Sequence, residues 1–257
     1  MKEIIESLNL PKQILDKADK FMTTIFGSAS KEIGELFADK IRYQRLKNQI
    51  DIFNKAIVIL DKNNLNARQL NLKTLVPLIE NSSLEDNELL QEKWANLIAN
   101  ISTSPETGLE PKLIKTLSNL SSLEAQVIDF CYNLFLFERL RIFERNKSTK
   151  WLSVNSVNDI KLNRVLIRFN DVKKQFNLSD EFTKICIDNL QALGLIRYEE
   201  PEVEIDNGDP SGTLKDNEDT GQSSVELDLD ITANYNQSDD FNLTTYGNYF
   251  IQQCKIK

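Results

Sequence analysis

Four cationic side chains are the ones in this sequence whose type and spacing best suit recognition of an anionic partner. Arg42, Arg45 and Lys47 lie close together in a predicted helix, and Lys184 lies in another helix nearer the C-terminus. Guanidinium and ammonium groups bind phosphate and carboxylate oxygens, so these residues are candidate contacts to a nucleic acid or a protein partner. The competing interpretation is a solvated helix face without a partner, which charged clusters of this kind more often form.

Catalytic chemistry finds little support in the residue types present. The chain contains no histidine, which excludes Ser-His-Asp and Cys-His centres and most zinc hydrolase sites. Cys131, Cys186 and Cys254 are far apart and form no CxxC pair, which argues against a disulfide framework and favours a reducing compartment. No phosphate-binding glycine loop or nucleophile elbow occurs. We therefore expect a protein that is not an enzyme and has no cofactor or metal.

Composition favours a mainly helical fold, because only 8 of the 257 residues are glycine and 6 are proline. The net charge of −8 is unevenly distributed. In residues 199–240, 14 acidic residues against one lysine give −13, which leaves +5 for the rest of the chain. No signal peptide and no apolar run of about 20 residues occurs, so we expect a cytoplasmic location.

An amphipathic helix is predicted over residues 12–27, after Pro11 and with Gly27 as its stop. Its apolar residues recur at steps of three and four: Ile14, Ala18, Phe21, Met22 and Ile25. Such a helix either contacts a membrane surface or a partner, or it packs on the rest of the protein. Packing is the favoured interpretation, because Asp16 and Asp19 weaken attraction to anionic lipid.

A longer helix is predicted from Ser30 to about Lys62, with a seam for another helix. The seam residues follow heptad spacing: Leu46, Ile50, Phe53, Ile57 and Leu60. Residues 72–80 predict a further helix that Pro77 kinks or breaks. In the helix that follows, Trp94 is the predicted structural anchor, and Asn96 and Asn100 are predicted to be exposed rather than a polar contact site.

The tetrapeptide SSLE occurs at residues 82–85 and again at 121–124. Each copy matches the capping box, in which a serine hydroxyl accepts from a first-turn N–H and a glutamate three residues later accepts from the cap N–H. We therefore predict that a helix starts at each copy. The sequences diverge beyond the tetrapeptide, so the two copies do not head a structural repeat.

The C-terminal half has the element order of a winged helix-turn-helix. A helix after Ser121 precedes a short helix at 169–177 and a longer one that Ser179 caps and Gly194 ends, with Ile185, Leu190 and Leu193 on its apolar face. Strands at 195–200 and 240–247 form a hairpin, and a helix closes the chain. Between the strands, the polar segment 207–224 is predicted to be mobile, and 225–235 suits one strand.

DNA binding by this unit is disfavoured. A recognition helix normally presents Arg, Lys, Asn or Gln to the bases, whereas the helix at 180–193 carries three acids against Lys184. The segment with charge −13 would also repel phosphates.

The order of these motifs resembles the abortive-infection alpha family of bacterial phage-defence proteins. Four stretches carry the resemblance: GELFADKIRYQRLKN at 34–48, LVPLIENSSLEDNELLQEKWANLIAN at 75–100, LIKTLSNLSSLEAQVIDF at 113–130 and NLTTYGNYFIQQC at 242–254. The likeness implies a role in abortive infection, in which an infected cell stops growing before phage mature. It implies no catalytic residues, and the long acidic insert departs from the compact pattern.

The resulting expectation is a mainly α protein: a helical bundle followed by a winged-helix-like α+β unit with a small hairpin. We divide it into an N-terminal helix (1–29), a helical domain (30–119) and a winged-helix-like domain (120–257) whose acidic insert lies at about 205–225. The leading function is phage defence through protein contacts or self-association. A winged-helix DNA-binding regulator and a membrane-acting effector, working through residues 12–27, are the alternatives.

Overall fold

The computed structural model describes residues 12–26, 40–148, 156–199, 202–207, 211–217, 222–228, 231–236 and 238–255. Over these ranges the protein is mainly helical, as the composition predicts. The helices are α1 (Lys12–Phe26), α2 (Lys40–Lys62), α3 (Leu72–Ser82), α4 (Glu88–Thr103), α5 (Glu110–Ser118), α6 (Ser122–Ser148), α7 (Phe169–Phe176), α8 (Asp180–Ala192) and α9 (Thr245–Gln253). Two 3-10 turns, Val157–Asp159 and Leu162–Arg164, connect α6 to α7.

The described strands form three antiparallel pairs nested one inside the next. They are β1 (Ile196–Tyr198), β2 (Glu202–Asn207), β3 (Ser211–Asn217), β4 (Gln222–Asp228), β5 (Ile231–Asn236) and β6 (Phe241–Leu243). The predicted hairpin is confirmed by β1 and β6, in which Ile196 lies opposite Leu243. Inside it, β2 pairs with β5 and β3 pairs with β4, whereas the sequence predicted one strand there. The mobility of this segment stays a prediction.

Side-chain caps fix where most of the helices begin. The cap oxygens of Asn71, Asn87, Ser179 and Thr244 accept from first-turn N–H groups of α3, α4, α8 and α9. Each bond satisfies a backbone donor that has no partner within its own helix. Gly194, at φ 74°, ends the turn after α8 in the left-handed region, as the sequence predicts.

Only one of the two SSLE copies forms the predicted box. Ser121 Oγ accepts from Glu124 N at 3.2 Å, and the Glu124 carboxylate accepts from Ser121 N at 2.8 Å, so α6 starts as expected. The prediction for the first copy is wrong, because Ser82 is the last residue of α3. The next helix, α4, begins at Glu88 and is capped by Asn87. Asn87 is an equally good cap, and polar side chains of α2 hold the end of α3 in place.

The two serines therefore differ in their expected contribution to stability. Ser121→Ala removes a cap and should lower the free energy of unfolding by about 1 kcal/mol. Ser82→Ala should be neutral or slightly stabilising, because the Ser82 hydroxyl is buried and has no hydrogen-bond partner among the described residues. Urea denaturation of both variants measures the difference. Equal losses would contradict the assignment of a cap to Ser121 alone.

The core is a connected set of apolar side chains around Trp94, which is only 1% exposed. Ile50, Phe53 and Leu60 of the predicted seam on α2 are buried, facing α4 and its neighbours. The helix α3 continues through Pro77, so the sequence expectation of a kink or a break is not met by a break, and the kink stays a prediction. Buried residues on both sides of residue 120 belong to this one set, and the division into domains stays a prediction.

The amphipathic helix α1 packs against the rest of the chain. Ala18, Phe21 and Ile25 are buried, and the Phe21 and Phe53 rings meet edge to face at 5.7 Å. Leu70 N donates to Ile25 O at 3.2 Å and ties the end of the helix to the segment before α3. A membrane contact through residues 12–27 stays a prediction, and it would require these side chains to leave the core.

The predicted cap Ser30 and the predicted stop Gly27 lie outside the described residues. Among the helices that the structure describes, none combines the length and apolar character that crossing a bilayer requires.

Candidate functional site: exposed apolar residues and paired cations

Arg45, a predicted partner contact, holds the end of a neighbouring helix. Its Nε donates to Ser83 Oγ at 2.9 Å and its Nη2 to Glu80 O at 3.3 Å. Asn48 of the same helix donates to Ser83 O at 3.1 Å. A cation at a helix C-terminus is favourable, because the last carbonyl groups there lack partners within the helix. Much of the hydrogen-bonding capacity of Arg45 is therefore used inside the protein.

The other two members of this predicted cluster are less constrained. Lys47 is exposed on α2. The side chain of Arg42 lies outside the described residues, although its backbone belongs to α2. A partner contact through these two residues stays a prediction.

Lys184 on α8 is paired within the chain. Its Nζ lies 2.7 Å from Asp239 Oδ1 and 3.9 Å from Asp188 Oδ1, and it stands 4.1 Å from the centre of the Tyr198 ring. Partial burial would lower the Lys184 pKa, but the hydrogen bond to Asp239 and the contact with Tyr198 raise it overall. An approaching phosphate would have to compete with these carboxylates, which makes Lys184 a poor contact for nucleic acid.

The exposed face of α8 carries two large apolar side chains. Phe182 is 61% exposed and Ile185 is 48% exposed. The sequence placed Ile185 on the buried face, which is wrong. The residues that α8 buries are Thr183, Cys186, Ile187 and Leu190. Apolar residues occur on both faces of α8, so their periodicity alone could not identify which face is buried.

A second group of exposed apolar residues lies on α6. Leu136, Phe137 and Leu140 are 43%, 62% and 46% exposed. Single exposed apolar residues are ordinary, whereas adjacent ones on a helix are typical of surfaces that bind other proteins. The two groups, on α6 and α8, are the strongest candidates for contact surfaces among the described residues.

The sequence predicted that Asn96 and Asn100 are exposed, but neither is. Asn96 is 8% exposed, and Asn100 Nδ2 donates to Gln253 O at 2.7 Å. The prediction is wrong because α9, which is distant in sequence, ends against this part of α4. Helical spacing identifies residues that share a face, but it cannot show which element covers that face.

An ion pair between a buried lysine and a partly buried aspartate connects α4 and α6. Lys93 Nζ on α4 lies 2.6 Å from Asp129 Oδ2 on α6, and the Lys93 side chain is only 7% exposed. Lys255 lies 4.0 Å from Asp129 Oδ1 and donates to Asn133. Burial lowers the pKa of Lys255, although Asp129 opposes the effect. No local sequence pattern predicted this pair, whose partners lie 36 residues apart.

The three cysteines are free and buried. Burial raises the pKa of Cys131 and Cys186, and it raises that of Cys254 to about 12. Their thiols are thus neutral near pH 7, and neutral thiols are weak nucleophiles and weak metal ligands. Among the side chains that the structure describes, no group of three or more cysteine, aspartate or glutamate residues could hold a metal ion.

These features define a mainly helical protein with a β hairpin and with apolar residues exposed on two helices. Two of its candidate cations, Arg45 and Lys184, form contacts within the chain. The family model for abortive infection alpha matches residues 38–254, which is most of the chain. The chain belongs to this family, and the resemblance inferred from its motifs is confirmed. Searches of curated proteins and of solved structures find no match. The family points to a role in abortive infection, a defence against phage.

Proposed function

We propose that this chain is a non-enzymatic phage-defence protein of the cytoplasm that acts through protein–protein contacts or self-association. The observation that carries the proposal is the exposed face of α8. This face presents the apolar side chains of Phe182 and Ile185 to solvent. Large apolar side chains at an interface exclude water and contribute most of its binding energy. Membership of the family supplies the biological process.

We further infer that α6, α7, α8 and the β1–β6 hairpin form a winged-helix unit, with α8 in the recognition position. The supporting observation is a two-way backbone bridge. Ile167 N donates to Phe241 O at 2.8 Å, and Phe241 N donates to Ile167 O at 3.0 Å. The segment between α6 and α7 thereby adds to the edge of the hairpin. The resulting order is helix, bridge, helix, helix, hairpin.

This element order is also what favours the second candidate function, a DNA-binding regulator. The chemistry of α8 weighs against it. Asp180 and Glu181 lie in the first turn of α8. Lys184 is already ion-paired with Asp188 and Asp239. A surface of this kind repels a phosphate backbone, so we favour protein contacts.

Replacing Phe182 and Ile185 together with serine should abolish protection against phage. Truncation of a central apolar contact typically costs about 2 kcal/mol, or roughly thirty-fold in affinity. The measurement is plaque formation on a sensitive bacterial host expressing either protein, over a panel of phages. Thermal unfolding should change little, because both side chains are largely in water before any partner binds.

The matched control is the double variant Val58→Ser and Leu84→Ser. These residues are 50% and 65% exposed, and they lie on α2 and between α3 and α4. Protection should be retained in this variant. If the wild-type protein is stably expressed and protects against no phage, the proposed process is wrong. If the folded α8 variant protects fully, the contact does not use α8.

A fluorescence anisotropy titration with random and promoter DNA separates the two candidate functions. Salt-sensitive binding that weakens in Lys184→Gln would favour the DNA-binding regulator and contradict our proposal. We expect no binding above that of an acidic control protein.

A further inference from the structure

A cavity of about 340 Å³ lies between the second half of α6, residues 164–168 and the first turn of α7. Four arginines line it: Arg141, Arg145, Arg164 and Arg168. Arg141 and Arg145 are one helical turn apart on α6, Arg164 ends a 3-10 turn, and Arg168 immediately precedes α7. The fold thus gathers cations from two separate stretches of a chain whose net charge is −8.

The cavity carries a surplus of positive charge. Its acidic lining residues are Glu138 and Asp171, so four guanidinium groups face two carboxylates. Glu138 is already paired with Arg141 at 3.1 Å. Arg164 and Arg168 are exposed, and they form no hydrogen bond or ion pair with the side chains that the structure describes. Arg164 and Arg168 therefore place two positive charges at one cavity, and a bound anion would relieve the repulsion between them.

The remaining lining is apolar. Leu166 is 38% exposed and Leu134 and Ile142 are partly buried, so these three side chains offer apolar surface to a ligand, whereas Val165 and Ile167 are almost fully buried behind them. The cavity therefore combines an apolar wall with several guanidinium groups. Its volume falls at the small end of the range for ligand sites, about 300–1,000 Å³. Such a site suits a small molecule that has both an apolar part and a phosphate group.

We propose that this cavity binds a mononucleotide, with Arg164 and Arg168 contacting its phosphate and the apolar wall contacting its base. Arginine suits this role because its planar fork of donors matches the geometry of phosphate oxygens. A concave site of this size accepts a single nucleotide more readily than a continuous nucleic-acid strand. The proposal concerns a surface other than the exposed face of α8, and it is independent of the proposed function.

Titration calorimetry on the full chain tests the proposal, with AMP, ATP, inorganic phosphate and an oligonucleotide lacking terminal phosphates as separate probes. At least one nucleotide should bind, and inorganic phosphate should bind at least about ten-fold more weakly because it has no apolar part. The double variant Arg164→Gln and Arg168→Gln should weaken nucleotide binding at least about ten-fold. Arg197→Gln, an exposed arginine on β1 outside the cavity, should change it less than about two-fold.

Thermal unfolding provides a readout that separates binding from a structural role. Without ligand, the double variant should be as stable as the wild type or slightly more stable, because it removes charge repulsion. Nucleotide should raise the unfolding temperature of the wild type but not of the variant. A variant that is destabilised without ligand would indicate a structural role for these arginines and overturn the proposal.

Three calorimetric results would also overturn it. The first is no nucleotide binding at about 1 mM, the weak end of specific affinity. The second is binding that is unchanged in the double variant. The third is oligonucleotide binding that depends on these arginines while no mononucleotide binds, which would indicate a nucleic-acid surface instead.

Discussion

Replacing Gly247 with alanine is expected to destabilise the protein by at least about 3 kcal/mol, a large part of the total stability of a typical domain. A Cβ at this position would lie 1.9 Å from the carbonyl oxygen of Leu195 and 2.8 Å from its carbonyl carbon. Backbone atoms cannot rotate away as a side chain can. The helix α9 would therefore have to move off the segment that leads into β1.

The contacts around Gly247 explain why that movement is costly. Thr244 N donates to Leu195 O at 3.1 Å, and Thr244 Oγ1 donates to Gly194 O at 2.6 Å. The same Thr244 hydroxyl accepts from Gly247 N at 2.8 Å and caps α9. A shift of α9 with its cap would strain the two bonds from Thr244 to residues 194 and 195. This close approach gives a physical reason for the glycine in the closing motif NLTTYGNYFIQQC.

The matched control is Gly108→Ala. Gly108 has φ 79°, so alanine is strained there, but no atom lies within 4 Å of the added Cβ. The expected loss is about 1–2 kcal/mol, from the left-handed conformation alone. Urea denaturation followed by circular dichroism compares the two variants. Losses of equal size would show that α9 does not pack on Leu195 as described.

Replacing Asp129 with alanine should cost about 3–5 kcal/mol, because it leaves the buried Lys93 ammonium without its partner. The Lys93 side chain is only 7% exposed, and the Asp129 side chain that pairs with it is 27% exposed. Lys255 also lies near Asp129. Once the Asp129 carboxylate is gone, the ammonium groups of Lys93 and Lys255 would repel each other. The free energy of unfolding from urea denaturation measures the loss.

Two comparisons make this prediction specific. The double variant Lys93→Met and Asp129→Leu should lie much closer to the wild type, because it removes both charges and leaves apolar side chains of similar size. Asp180→Ala, which breaks the exposed pair between Lys173 and Asp180, should cost no more than about 1 kcal/mol. If Asp129→Ala costs no more than Asp180→Ala, the Lys93 ammonium is not buried against Asp129.

Local signals in the sequence were sufficient where one signal dominated. Ser121 and Glu124 form the predicted box, and both of its hydrogen bonds join residues only three positions apart. The same tetrapeptide at Ser82 failed because Asn87 caps the next helix and Arg45 binds Ser83. The outcome there depends on a residue 38 positions away, which no local pattern contains.

The residue order alone was enough to predict the family, the mainly helical class, the hairpin formed by β1 and β6, and the starts of α6 and α8. These depend on backbone hydrogen bonding and apolar spacing within a few residues, or on motifs read directly from the residue order. Only the tertiary structure decided which charges are paired, which face of α8 is exposed, and that four arginines share a cavity. Charge interactions and burial depend on distance in space, and the residues concerned come from segments that only folding brings together.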